Sequence, residues 1–276
     1  MEVVRAHGID IAYVSAGHGP PLVFVHGAAG DHRDWAPQLR ALADEFTVIA
    51  WDEPGAGQSG DVPDSFVLAD YAHCLATVIA THAAGPACVV GLSWGGTLAL
   101  ELYRHHPDVV RRLVLADTYA GWKGSLSGEE VQARVAGVQS MLTDVGSPFD
   151  PTLPGLFAAG PPAEFTSLLA DIARDVRPHS MAHALMLMAD TDQRDILPTI
   201  AVPTLLIWGD NDARSPLEQV GRQFERAIPG ATLAVIPRCG HVSNLECHSE
   251  FTRLVREFCG GAVPRPNRPD SPSCRS

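Results

Sequence analysis

Apolar and polar residues alternate in blocks along most of the chain. An early strand over residues 9–15 is followed by short apolar runs, which are typical of strands buried on both faces of a sheet. These runs predict further strands over residues 21–25, 46–51, 87–92, 112–117, 204–208 and 232–236. Helical patterns separate them over residues 31–43, 65–84, 94–106, 215–227 and 245–258. This alternation predicts a mostly parallel sheet with helices on both faces.

The alternation stops between residues 119 and 200, where glycine and proline interrupt a helical pattern. Apolar side chains of this segment suit a lid over a pocket, although burial in a core is the simpler interpretation for each of them. They are Trp122, Phe149, Phe157, Phe165, Met181, Met186 and Met188. From this group, Trp122 and Met186 are predicted to contact a substrate.

Polar residues concentrate where the predicted strands end. His26, Asp52, Ser93 and Asp117 follow four strands, and Asp210, Asp212 and His241 follow the last two. Because ligands of open α/β sheets bind outside the carboxyl ends of the strands, these residues are expected to share one functional edge.

Ser93 has the most specific surroundings of these residues. A β-branched run ends at Leu92, a helix-forming run starts at Trp94, and Gly91 and Gly95 lie two residues on either side of the serine. This G-x-S-x-G spacing is that of a nucleophile elbow, a strained turn that exposes a serine at the start of a helix. The helix N-terminus would direct backbone N–H groups towards a developing oxyanion.

Composition narrows the possible partners. The 276-residue chain is 46% hydrophobic and carries a net charge of −12, which argues against nucleic acid and anionic membranes as partners. The chain shows no signal segment and no long apolar run, and its six cysteines lack C-x-x-C spacing, so a cytoplasmic protein with reduced thiols is expected. No metal-ligand spacing or phosphate-binding motif is present, so neither a metal nor another cofactor is expected. The proline- and arginine-rich residues 260–276 are predicted to be disordered.

The chain resembles the α/β-hydrolases over nearly its whole length. The resemblance rests on His26-Gly27, the loop from Asp52 to Ser59, the elbow around Ser93, the run from Pro203 to Asp212, and Gly240-His241. It implies an α/β-hydrolase fold with an eight-stranded, mostly parallel sheet. Residues 1–118 and 201–259 would form the core, and residues 119–200 a helical cap. Within the family, the chain resembles the enol-lactonase and non-haem haloperoxidase-like esterase branch.

The expected chemistry assigns a role to each site residue. Ser93 would act as nucleophile and needs a base, for which His241 is the candidate. The resemblance implies Asp212 as the acid that orients His241, with Asp210 a rival by spacing and Asp117 a more distant one. It also implies that the oxyanion hole consists of the backbone N–H groups of Ala28 and Trp94. His26 is expected to brace that loop and is a further candidate for contact with substrate.

These residues predict a serine hydrolase that acts on a small, largely apolar carboxylic ester or lactone through an acyl-enzyme. A hydrolase that cleaves C–C bonds of diketone ring-fission products would use the same three residues. A ligand-binding receptor on a hydrolase scaffold is the alternative outside enzymes.

Overall fold

The computed structural model describes residues 1–82, 85–143 and 149–261. Eight strands of this part of the chain form one sheet: β1 (Glu2–Ala6), β2 (Ile9–Ala16), β3 (Pro21–Val25), β4 (Thr47–Trp51), β5 (Ala87–Leu92), β6 (Val110–Ala116), β7 (Thr204–Gly209) and β8 (Thr232–Ile236). Their order is β1-β2-β4-β3-β5-β6-β7-β8. β2 runs antiparallel to both of its neighbours, and the strands from β4 to β8 are parallel. The predicted eight-stranded, mostly parallel sheet is confirmed.

Helices fill the connections from β3 onwards and follow β8. The α-helices are α1 (Ala36–Leu42), α2 (Leu68–His82), α3 (Trp94–His105), α4 (Trp122–Ser125), α5 (Gly128–Thr143), α6 (Thr166–Asp175), α7 (Pro178–Asp190), α8 (Arg222–Ala227), α9 (Ser243–Glu246) and α10 (His248–Gly260). Short 3-10 helices cover His32–Trp35, Pro107–Val109, Ala163–Phe165 and Leu197–Thr199, and a π-helical turn covers Leu217–Gly221.

The sheet separates two hydrophobic cores, because successive side chains of a strand point to opposite faces. In β3, Val23 and Val25 join the core on the face of α2 and α3. Leu22 and Phe24 join the core on the other face, which α10 covers. The central strands are therefore buried on both faces, which explains why their sequences are continuously apolar.

Three elements differ from the prediction. β1 was missed because it is an edge strand in which only Ala6 is buried, so its sequence carries no apolar run. The predicted helix over 215–227 begins instead with the π-helical turn at Leu217 and continues as α8. The predicted helix over 245–258 is divided at Cys247 into α9 and α10.

Helices α4 to α7 lie between β6 and β7, in the segment predicted to be the cap. Its exact boundaries, and those of the core, remain predictions. Of the tail predicted to be disordered, Gly260 ends α10, and residues 262–276 lie outside the described residues. Across the described ranges, no helix is both long and apolar enough to span a membrane.

Candidate active site

Ser93 occupies the sharp turn between β5 and α3. Its backbone has φ +54° and ψ −119°, a conformation that L-residues rarely adopt and that must be held by its surroundings. The N–H of Ser93 donates to the Ala116 carbonyl at 2.9 Å, and the hydroxyl of Thr118 donates to the Ser93 carbonyl at 2.5 Å. Both ends of the strained residue are thereby fixed to the neighbouring strand β6 and the loop that follows it.

The two elbow glycines are required by space. A Cβ atom on Gly91 would overlap the Gly95 carbonyl, and one on Gly95 would overlap the Val25 carbonyl. α3 therefore packs directly on the ends of β3 and β5, as the G-x-S-x-G spacing predicts.

His241 lies in the loop between β8 and α9 and faces Ser93. Its Nε2 is 2.8 Å from Ser93 Oγ, and its Nδ1 is 2.9 Å from Asp212 Oδ2. An ionised carboxylate only accepts hydrogen bonds, so Nδ1–H donates to Asp212 and Nε2 is left to accept the Ser93 proton. His241 is only 5% exposed, and Asp212 behind it is also buried.

Asp212 follows β7 and is held by several donors. Ser215 Oγ donates to its Oδ2 at 2.5 Å, and the backbone N–H groups of Arg214 and Ser215 donate to its Oδ1 at 2.7 and 2.9 Å. Burial opposes ionisation, but the facing His241 ring and the hydrogen bonds from Ser215 outweigh it and lower the pKa of the Asp212 carboxyl. Asp212 is thus kept ionised beside the imidazole.

The two rival carboxylates have other partners. Asp210 accepts from the backbone N–H of Arg238 at 2.6 Å. Asp117 is fully buried and accepts from Ser243 Oγ at 2.5 Å and from the Gly209 N–H at 2.9 Å. Burial, and then the charge of Asp212, raise the pKa of Asp117 well above its usual range. Of the three carboxylates, Asp212 is the one hydrogen-bonded to His241.

The loop after β3 lies beside the nucleophile. A Cβ on Gly27 would be 3.5 Å from Ser93 Cβ, which places the next residue, Ala28, at the same site. Within the described chain, the backbone N–H groups of Ala28 and Trp94 have no protein acceptor, apart from bonds internal to helices and strands. Ala28 lines the cavity beside Ser93, and Trp94 directly follows Ser93 in the chain.

His26 and Met186 require a correction, since neither lines the cavity beside Ser93. His26 is fully buried; its Nδ1 pairs with the Gly27 carbonyl at 2.8 Å, and its Nε2 accepts from the Glu53 N–H at 3.1 Å. Burial lowers the pKa of this ring, which braces the loop as a neutral group. Met186 instead packs against the core on the α2 and α3 face of the sheet.

A cavity of about 500 Å³ opens beside Ser93 and His241. Trp122 lies in its wall, together with Tyr119, whose ring centroid is 6.2 Å from that of His241. Most of the remaining wall is apolar and comes from the segment between β6 and β7: Val138, Met141, Phe149, Pro151, Leu153, Leu156, Phe157, Leu169, Ile172, Ala173, Met181, Leu185 and Met188. The cavity has the size and character of a small-molecule site.

Three ionisable residues of the cavity wall were not predicted from the sequence: Asp34, Arg134 and Arg214. No local motif marks them. Arg134 comes from α5 and Arg214 from the loop after β7, so only the folded chain brings them together. The spacing of Arg214 two residues after Asp212 is the one sequence signal that could have indicated a place near the site.

Asp31, His32 and Asp52 form a cluster away from the nucleophile, with ligand atoms within 4.8 Å of one another. Their carboxylates already accept hydrogen bonds within the fold. His32 contacts Asp52 Oδ1 through Nδ1 at 2.7 Å, and Arg33 Nε donates to both oxygens of Asp31 at 3.0 Å. This cluster holds the loop after β3 against the loop after β4, which gives Asp52 a structural role.

A family model described as the alpha/beta hydrolase fold matches residues 20–246. The chain belongs to the α/β-hydrolase family. It is 30% identical over 249 residues to a pimeloyl-[acyl-carrier protein] methyl ester esterase of Chromobacterium violaceum, covering 87% of this chain and 94% of that one.

Two solved structures share the fold closely. A thermophilic esterase from Thermogutta terrifontis has a TM-score of 0.80 at 28% identity, with 94% of this chain and 98% of that chain covered. The enol-lactonase from Burkholderia xenovorans has a TM-score of 0.77 at 26% identity, with 94% and 100% covered. The predictions of an α/β-hydrolase fold and of a hydrolase enzyme of this family are confirmed.

Proposed function

We propose that this protein hydrolyses carboxylic esters or lactones of small, largely apolar molecules through a Ser93–His241–Asp212 triad. The supporting observation is the continuous hydrogen-bonded chain from Ser93 Oγ through both ring nitrogens of His241 to Asp212. It lies in the wall of an apolar cavity. The relatives named esterases and an enol-lactonase support the same reaction class.

The geometry supplies each step of acyl transfer. His241 Nε2 takes the Ser93 proton as Oγ attacks the ester carbonyl, and Asp212 stabilises the imidazolium. The N–H groups of Ala28 and Trp94 receive the oxyanion, and each such donor is worth about 2.7–4 kcal/mol in the transition state. His241 then protonates the departing alkoxide. Water, deprotonated by the same nitrogen, releases the acid from Ser93.

We assign the roof of the cavity to the helices between β6 and β7. Side chains of α5, α6 and α7 form much of the apolar wall, so this segment would select the acyl and alcohol groups that fit. A cap of this kind also excludes water, which strengthens the hydrogen bonds at the oxyanion.

The test is steady-state hydrolysis of a short-chain nitrophenyl ester by the wild type and by Ser93→Ala. Ser249→Ala is the matched control, because Ser249 is exposed on α10. We expect turnover in the wild type and the control and none above background in Ser93→Ala. Absence of ester turnover in all three would refute the ester assignment and favour C–C bond hydrolysis or ligand binding without catalysis.

A further inference from the structure

Two arginines, Arg134 and Arg214, lie in the cavity wall. Arg134 donates to the Arg214 carbonyl at 2.6 Å, so the two residues are in direct contact. In the described ranges, no carboxylate forms an ion pair with either one. Two like charges in a largely apolar wall, without a counter-ion, cost free energy that a bound anion would recover.

Arg134 is held rigidly against the aromatic part of the wall. Its guanidinium carbon lies 5.1 Å from the ring centroid of Trp122 and 5.4 Å from that of Tyr119, and it donates to the Tyr119 hydroxyl at 3.0 Å. The charge is thereby fixed one aromatic ring away from His241, since Tyr119 also faces the imidazole. Within the described residues, the Arg134 guanidinium donates hydrogen bonds only to the Tyr119 hydroxyl and the Arg214 carbonyl, which leaves other N–H groups without a protein acceptor.

The guanidinium of Arg214 has fewer hydrogen-bond partners than that of Arg134. Its backbone N–H serves Asp212, but within the described residues its guanidinium donates no hydrogen bond. Burial, together with the neighbouring charge of Arg134, lowers the pKa of Arg214, while Tyr119 and Asp212 act in the opposite direction. The Arg214 side chain is thus partly removed from water at the wall of the cavity, and no described residue accepts a hydrogen bond from its guanidinium.

The nearby acids do not neutralise this pair. Glu130 acts on Arg134 only at long range, and its carboxylate accepts from the Ser127 N–H at 2.8 Å and Gln219 Nε2 at 3.2 Å. Asp212 already serves His241 and Ser215. Asp34 also lines the cavity, but burial raises its pKa to about 8, so at neutral pH it is mostly uncharged.

We propose that Arg134 and Arg214 bind a carboxylate of the substrate, so that the preferred esters or lactones carry an anionic group away from the scissile bond. The planar fork of a guanidinium suits a carboxylate, which accepts two parallel hydrogen bonds. The apolar wall would hold the chain that connects the carboxylate to the ester. This inference rests on the proposed ester hydrolysis and specifies its substrate class.

The test compares kcat/KM for a series of monomethyl dicarboxylates of increasing chain length with that for the matching dimethyl esters. An acetoxy-acid series with neutral counterparts probes a carboxylate on the alcohol side. We expect the wild type to prefer the anionic ester at one chain length. The ratio of anionic to neutral kcat/KM should fall about tenfold to a hundredfold in Arg214→Met, as for a lost charge-assisted hydrogen bond.

Two further variants test whether the effect comes from the planar guanidinium or only from positive charge, and whether removing a charge elsewhere has the same effect. Arg214→Lys keeps the charge but loses the fork, so its ratio should fall between those of the wild type and Arg214→Met. Arg226→Met removes the same charge from an exposed position of α8 and should leave the ratio unchanged. A wild type without preference in either series, or a preference that persists in Arg214→Met, would overturn the proposal.

A separate binding measurement keeps this inference distinct from the proposed function. Calorimetry with Ser93→Ala measures the affinity for free dicarboxylates and does not require turnover. Binding that is lost in the Ser93→Ala, Arg214→Met double variant supports the anion site even if no ester is hydrolysed. Nitrophenyl ester turnover without any dicarboxylate binding or anionic preference would leave the hydrolase assignment in place and refute the anion site.

Discussion

The indole Nε1–H of Trp94 donates a 2.6 Å hydrogen bond to the carboxyl group of Glu53, and both residues are buried. The backbone N–H of Glu53 donates in turn to His26 Nε2, and the ring of His26 contacts the Gly27 carbonyl. Glu53 therefore connects Trp94 with the loop that carries Ala28. Trp94 and Ala28 are the proposed oxyanion donors, so we infer that Glu53 fixes their positions relative to each other.

This relationship predicts different effects for two substitutions of Glu53. Glu53→Ala leaves the buried Trp94 N–H without an acceptor and should lower kcat by about tenfold, less than the loss of a whole oxyanion donor. Glu53→Gln retains an oxygen acceptor and should keep most of kcat. The measurement is kcat and KM for a nitrophenyl ester, with Glu129→Ala at an exposed position of α5 as control. Equal losses in Glu53→Ala and Glu53→Gln would contradict the positioning role.

Glu53 also predicts how stability depends on pH. Burial raises the pKa of its carboxyl from 4.5 to about 8, and the hydrogen bond from Trp94 only partly offsets this. Between these two values the folded protein binds more protons than the unfolded chain, so the free energy of unfolding falls as pH rises towards 8. Glu53→Gln cannot ionise and lacks this contribution. Urea unfolding at several pH values should therefore show the wild type losing stability relative to Glu53→Gln as the pH rises from 5 to 8. A difference in the free energy of unfolding that stays constant over this pH range would exclude a contribution from the titration of Glu53.

The acid of the triad can be assigned by three asparagine variants. Asp212→Asn removes the acceptor for His241 Nδ1–H, and we expect a loss of kcat of up to about 10⁴-fold, as in serine hydrolases in which the wrong tautomer results. Asp210→Asn should have little effect, because Asp210 serves the backbone of Arg238. Asp117→Asn should cost less than Asp212→Asn, because Asp117 is hydrogen-bonded to Ser243 and Gly209 and not to His241.

Thermal unfolding of the three proteins is the control, because a buried substitution also affects stability. If Asp117→Asn lost activity as severely as Asp212→Asn while remaining folded, both carboxylates would have to take part in orienting His241.

The predictable parts of this protein are those encoded by neighbouring residues. The elbow around Ser93 and the buried strands carry their signals within a few positions, since each depends on local backbone geometry and on burial of both sheet faces. β1 carries no such signal because its side chains face solvent along a sheet edge. Its pairing with β2 is stabilised mainly by backbone hydrogen bonds, which any sequence provides.

The cavity lining depends on contacts between distant parts of the chain. Arg134 and Arg214 are 80 residues apart and meet only because α5 packs beside the loop after β7. Met186 and Met188 look alike in sequence, but only Met188 faces the cavity. The faces of α7 are set by its packing against α5 and the core, so side-chain type alone could not distinguish these two residues.

The close packing at the elbow gives a final prediction, on Gly95. A methyl group there would overlap the Val25 carbonyl, and backbone atoms at the end of a central strand have little room to move. Gly95→Ala should therefore lower the free energy of unfolding by about 1–3 kcal/mol and displace Ser93, with a large loss of kcat. Gly137→Ala in α5 is the matched control for stability, since its added methyl would meet no atom within 4 Å; because Gly137 lines the cavity, it is not a control for kcat. It should stabilise the protein by about 0.5–1 kcal/mol, because alanine favours a helix interior. Urea unfolding and ester hydrolysis measure both effects. If Gly95→Ala kept wild-type stability and kcat, the elbow would have to tolerate a larger distance between α3 and β3. The role of Gly95 in placing Ser93 would then be refuted.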